Sequence, residues 1–159
     1  MTATGYFALA LFPFVFVAFW LGICWLISLS GWRQLSRHFQ ASEAGSQAPA
    51  TSFWMQSGTL RKVGAIGFGA NYRGALTIRC GSAGLELAVL FLFRFGHPPL
   101  LVPWSALGQI EEKLFFGLIR SYIIPIDLPD GSDGVELRLT NQRLVETVVS
   151  YQQAARLGK

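Results

Sequence analysis

The chain has 159 residues, of which 52% are hydrophobic and only 14% charged, against roughly 25% charged in a typical soluble domain. Residues 1–32 contain no Asp, Glu, Lys or Arg, which argues against a freely soluble monomer and excludes disorder along the whole chain. The formal charge of +4 is uneven: seven basic residues face two acidic ones from Arg33 to Ile110, and six face seven from Glu111 to Lys159. A basic excess next to an apolar segment suits a protein held near anionic headgroups.

The apolar run from Tyr6 to Leu29 has no ionisable side chain other than Tyr6 and Cys24. About 20 apolar residues cross a hydrocarbon core, and a helix is the one single-segment structure that satisfies its own backbone there. Residues 6–30 are therefore expected to form one transmembrane helix. Pro13 lies near its first turns, where a missing N–H costs least. Tyr6 and Trp32 fall at its two ends as interfacial aromatics, and Arg33 and Arg37 flank it on the C-terminal side. A cleaved signal peptide fits less well, because no basic n-region precedes a core this long. By the positive-inside rule the two arginines place the N-terminus outside and the rest of the chain in the cytoplasm.

Residues 31–52 read as a juxtamembrane segment and linker, since Gln40 to Ser52 is small, polar and aperiodic. The alternative is a helix running on from Arg33, with Leu35 and Phe39 as a weak apolar stripe. From Phe53 the period becomes two. Leu60–Ile66 is a first strand, and Arg73–Cys80 points Leu76, Ile78 and Cys80 one way. Leu85–Phe95 is the strongest candidate strand. Leu100–Val102 is short, Gln109–Phe116 and Leu118–Ile126 flank Gly117 as a hairpin, and Val135–Thr140 alternates after the turn-rich Asp127–Gly134. Asn141 is a good N-cap for a helix with Leu144, Val148, Tyr151 and Ala155 on one face, and Gly158 stops it. The expected fold is mainly β: about seven strands and one C-terminal helix over residues 53–157, behind the N-terminal helix.

Several residues carry candidate roles. Ala88, Leu90 and Leu92 lie opposite the core face of the strongest strand, and Phe115 and Phe116 belong to a second apolar cluster. These either meet the bilayer, meet another protein, or are covered by the curvature of the sheet. Chemistry-bearing groups do not converge. His97 sits in a Gly-His-Pro-Pro turn and is expected to be exposed. Glu111 and Glu112, as strand neighbours, point to opposite faces. Cys24 and Cys80 form no CxxC pair and read as small buried hydrophobes. No cofactor, metal or nucleic acid is indicated, and an enzyme is not expected.

The element order, together with Gly84-Leu85-Glu86-Leu87 opening a long strand and Leu101-Val102-Pro103-Trp104-Ser105-Ala106-Leu107 after it, resembles the pleckstrin-homology-like superfold. Bacterial membrane-anchored members of the PH-like and GRAM-like group are the nearest in kind. The resemblance implies a small bent antiparallel barrel, capped by its last helix, at a bacterial inner membrane. It implies a domain that tethers or scaffolds a lipid or protein partner. It also points to Arg61, Lys62, Arg73 and Arg79 as an anionic-lipid or partner-binding cluster near the first two strands. An accessory subunit of a membrane complex, or an extracytoplasmic barrel carrying an apolar ligand, are the other readings open to the sequence.

Overall fold

A computed structural model describes residues 3–41, 50–64, 69–115 and 118–158. Helix α1 runs Ala3–Ser28, and a short turn leads to α2, Trp32–Phe39. Seven strands follow: β1 Ala50–Lys62, β2 Ala70–Gly81, β3 Gly84–Val89, β4 Leu100–Val102, β5 Glu111–Phe115, β6 Ile119–Ile126 and β7 Val135–Leu139. Helix α3, Gln142–Leu157, closes the chain. The strands form one antiparallel sheet in the order β4-β3-β2-β1-β7-β6-β5. The long β1 joins its two parts, pairing with β2 along much of its length and with β7 through Gly58–Lys62.

Period-two alternation explains the core. Leu76, Ile78 and Cys80 of β2, Leu85 and Leu87 of β3, and Val135, Leu137 and Leu139 of β7 are all buried. Burial pushes the Cys80 thiol up to about 12, so it is a packing group with little thiolate character. Cys24 is also a buried free cysteine. Helix α3 begins as its cap dictates, with Asn141 Oδ1 accepting from the Leu144 amide at 3.3 Å. Leu144, Val145 and Val148 face the core, and Tyr151 stacks on Trp104 with ring centroids 5.7 Å apart.

Three sequence expectations are corrected. First, the segment after α1 is part of the domain. Trp32 and Leu35 are fully buried within the core, and Trp32 Nε1 donates to Pro98 O at 2.9 Å. Gly31, at φ 136°, makes the turn, and a Cβ there would meet Val135 Cγ1 at 3.2 Å. Trp32 is therefore not an interfacial residue. An indole that can reach both β-sheet packing and a carbonyl acceptor is better buried than left at a surface. Strand β1 likewise begins at Ala50, inside the expected linker, because β2 supplies a pairing edge that composition does not reveal.

Second, the strongest candidate strand stops halfway. β3 ends at Val89, and Phe91–Phe93 is a single 3-10 turn. Third, His97 is buried, at 1% exposure. Its Nδ1 lies 3.1 Å from Phe95 O and its Nε2 3.0 Å from Tyr72 Oη. Those partners assign the tautomer: Nδ1–H donates to the carbonyl, and Nε2 accepts from the tyrosine hydroxyl. The Trp32 and Tyr72 rings pack on the imidazole at 5.2 and 5.6 Å. Desolvation lowers the His97 pKa below its ordinary 6.5, opposed in part by its backbone hydrogen bonds.

Candidate functional site

Helix α1 divides by exposure. Every side chain from Ala10 to Phe19 is exposed. From Trp20 onward one face is covered, through Cys24, Ile27 and Ser28 to Gly31, the i, i+4, i+7, i+8 and i+11 positions of a packed stripe. The helix is long and apolar enough to cross a membrane. Its covered stripe meets the loop after β3. Trp20 Nε1 donates to Leu92 O at 3.1 Å, and the Trp20 and Phe93 rings lie 5.3 Å apart. A Cβ on Gly96 would sit 3.4 Å from Ser28 Cβ, so the loop backbone runs directly against the helix.

Where α1 gives way to α2, an open groove of about 690 Å3 lies between α2, the end of β1 and the β6–β7 turn. Leu29 forms its rim toward α1. Arg33, Arg37 and Lys62 line it, and no carboxylate lies within ion-pair distance of any of the three among the described residues. The Arg33 guanidinium instead reaches back over the Trp25 ring, 5.8 Å from its centroid.

The acidic side of the groove comes from the turn Asp127–Gly134. Asp130 Oδ2 accepts from His38 Nε2 at 3.1 Å. Hydrogen bonds from the Ser132 hydroxyl and amide, and then the neighbouring His38, hold the Asp130 carboxyl below its usual range. Gln34 Nε2 donates to Asp133 O at 2.9 Å, fixing α2 to the turn, while its buried Oε1 has no partner among the described residues. The groove therefore sets Arg33, Arg37 and Lys62, none of them ion-paired among the described residues, beside the carboxylates of Asp130 and Asp133, and its three cations are the part suited to a phosphate-bearing group.

The expected basic cluster does not gather at one place. Arg61 pairs with Glu136 across β1–β7 at 2.8 Å, and Arg79 pairs with Glu86 across β2–β3 at 3.0 Å. Arg73 is exposed beside the β2 kink at Gly74 and does not line the groove. Of the four, only Lys62 does, and it is joined there by Arg33 and Arg37 of the flanking set. Tyr6 lies within α1, but its side chain is outside the described residues.

Of the apolar set, Ala88 is half-buried in β3, whereas Leu90 and Leu92 are exposed around the 3-10 turn. Phe115 ends β5 with its side chain outside the described residues, as is all of Phe116. Sequence reasoning missed His38, Gln34 and Asp130 as neighbours of the cations, because α2 was not expected to touch the β6–β7 turn. It also missed Trp54 and Met55, both strongly exposed at a β-bulge where Met55 has φ 52°. No protein-family model matches the chain, and no curated protein is significantly similar to it.

Proposed function

We propose that this chain is a single-pass, membrane-anchored binding module of pleckstrin-homology-like type, whose groove engages a phospholipid phosphate at the surface of its own membrane. In this reading α1 spans the bilayer of a bacterial inner membrane, with its N-terminus outside. The sheet domain then lies on the cytoplasmic face, the side favoured by Arg33 and Arg37. The observation that carries the reading is the convergence of Arg33, Arg37 and Lys62, none of them ion-paired among the described residues, in a groove that Leu29 also lines at the end of the apolar helix. Basic residues near an anionic surface gain about 1 kcal/mol each.

The connection between helix and domain supports tethering rather than free diffusion. Gly31 and Trp32 pack into the sheet immediately after α1, so the groove is held at one height above the helix end. A site confined in this way meets its ligand at high effective concentration, and weak intrinsic affinity suffices.

The test is lipid retention by the full chain in nanodiscs of mixed anionic and zwitterionic composition, followed by native mass spectrometry. The triple variant Arg33→Gln, Arg37→Gln, Lys62→Gln is expected to lose anionic lipid. Arg61→Gln, already paired in the fold, is expected to retain it. Equal retention by the triple variant and the unaltered chain would end the groove assignment.

A second reading has its own observation. Leu114, Leu118 and Ile119 are exposed on the β5–β6 hairpin at the outer edge of the sheet. Beside them a groove of about 510 Å3 between β6 and α3 is lined by Tyr122, Val145 and Val149. That face suits a protein partner, as an accessory subunit would require. Cross-linking from Ile119 to a fixed copurifying chain would favour it.

A further inference from the structure

The segment Leu90–Phe95 has a composition that no water-facing loop needs. Leu90, Leu92 and Phe95 are exposed, and Phe91 is 72% exposed. Contiguous apolar exposure of this kind marks an interaction surface. Its place in the fold names the occupant. Leu92 O accepts from Trp20, which lies eight residues before the last residue of α1, or roughly 12 Å down the helix at 1.5 Å per residue. Trp20 is also the point at which the fully exposed part of α1 ends. The loop thus begins where the bare apolar helix stops, and its exposed side chains continue that surface.

We propose that Leu90–Phe95 is a second membrane-inserted element, bedded among the upper acyl chains and headgroups of the bilayer beside α1. The proposal rests on the reading of α1 as a spanning helix. Much of the loop backbone is satisfied internally, as lipid requires of polar groups it surrounds, and the amides of Phe91, Leu92 and Phe95, which have no acceptor among the described residues, are left to the headgroup zone. Leu90 N donates to Ala75 O at 2.8 Å, Phe93 N to Leu90 O at 2.8 Å, and Arg94 N to Phe91 O at 3.2 Å. His97 N donates to Arg94 O at 2.9 Å, and the Leu92 and Phe95 carbonyls accept from Trp20 and from the buried His97 ring. The one charge in the segment, Arg94, is exposed and long enough to carry its guanidinium up to the phosphates.

The consequence is geometric. One helix leaves a domain free to tilt relative to the bilayer plane. Two inserted elements, joined through Trp20 and pinned to the core through His97, fix which face of the sheet looks at the bilayer. His97 is a positioning residue in this arrangement, holding the far end of the loop against Tyr72 and Trp32.

The test is site-directed spin labelling of the full chain in nanodiscs, in a background of Cys24→Ala and Cys80→Ala. Labels go at Phe91→Cys, at Phe14→Cys in α1 and at Gln153→Cys on α3, and collisions with oxygen and with a water-soluble nickel chelate are compared. Leu92→Cys reads the same loop should the Phe91 variant misfold. The expected result is that Phe91→Cys loses nickel accessibility relative to Gln153→Cys and keeps oxygen accessibility, as Phe14→Cys does. Nickel accessibility at Phe91→Cys equal to that at Gln153→Cys, with Phe14→Cys still protected, overturns the inserted loop and leaves the spanning helix standing. Nickel accessibility at Phe14→Cys as well overturns the spanning reading itself. Shielding of Phe91→Cys from both reagents means protein covers the loop, and also overturns the proposal.

Discussion

Residues 85–89 and 90–95 are neighbours of similar apolarity, yet one forms core and the other surface. Leu85, Leu87 and Val89 are buried in β3 between β2 and β4. Leu90, Phe91, Leu92 and Phe95 face outward around a single 3-10 turn. Hydrophobicity alone does not separate them. The difference is that β4 is only three residues long and pairs Leu100–Val102 with Leu85–Leu87, so beyond Val89 the sheet has no further strand to cover the chain. Apolar side chains past that point are available to something outside the fold.

Truncating the core half should give the largest effect. Leu87→Ala is expected to cost about 2–5 kcal/mol of domain stability, from lost burial and the cavity left behind. Urea unfolding in detergent, followed by circular dichroism, measures it, and a loss comparable to that of an exposed residue would break the contrast. Next in size is the pin between the halves. Tyr72→Phe removes the donor to His97 Nε2 and leaves a buried acceptor unsatisfied, at about 1–3 kcal/mol.

A pH profile sharpens the same point. His97 is neutral in the fold with a lowered pKa, whereas the unfolded chain takes up its proton near the ordinary 6.5. The stabilisation is therefore complete above about pH 6.5 and is lost as the pH falls through the folded value. His97→Gln should flatten this slope between pH 7.5 and pH 5, and an unchanged slope would assign it to another group. The smallest effect is expected at the surface half. Phe91→Ser should shift domain stability in detergent by no more than about 0.5 kcal/mol. A core-sized loss there would mean that residues 90–95 are structural after all.

Much of the fold was legible because the sheet faces both core and surroundings. Strands β2, β4 and β7 and the capped helix α3 follow from alternation, turn chemistry and the Asn141 cap. Strand β1 was only half legible, since Ala50, Thr51 and Ser52 pair with Gly81, Cys80 and Arg79 through backbone groups that carry no compositional mark. Helix α2 reads from the sequence only as an extension of α1, because its burial depends on Trp32 meeting Tyr72 and His97, residues far apart in sequence. One clue to the loop was available. The outward face of the run changes from Glu86 and Ala88 to Leu90 and Leu92, a switch that an ordinary two-faced strand does not make. The groove was not legible, because its cations and its acidic turn come together only when α2 docks on the β6–β7 turn.

The burial of α2 also sets an order of events during synthesis. Trp32 and Leu35 emerge early, directly behind the apolar helix, but they share a core with Val135 and Leu137 of the last strand to be made. Until β7 leaves the ribosome, α2 has no completed surface to cover it. The nascent chain therefore carries an incompletely covered tryptophan until then, and long-range closure of this kind slows folding. A chain that stops short of β7 would leave Trp32 without the strand that completes its pocket, directly behind the apolar helix.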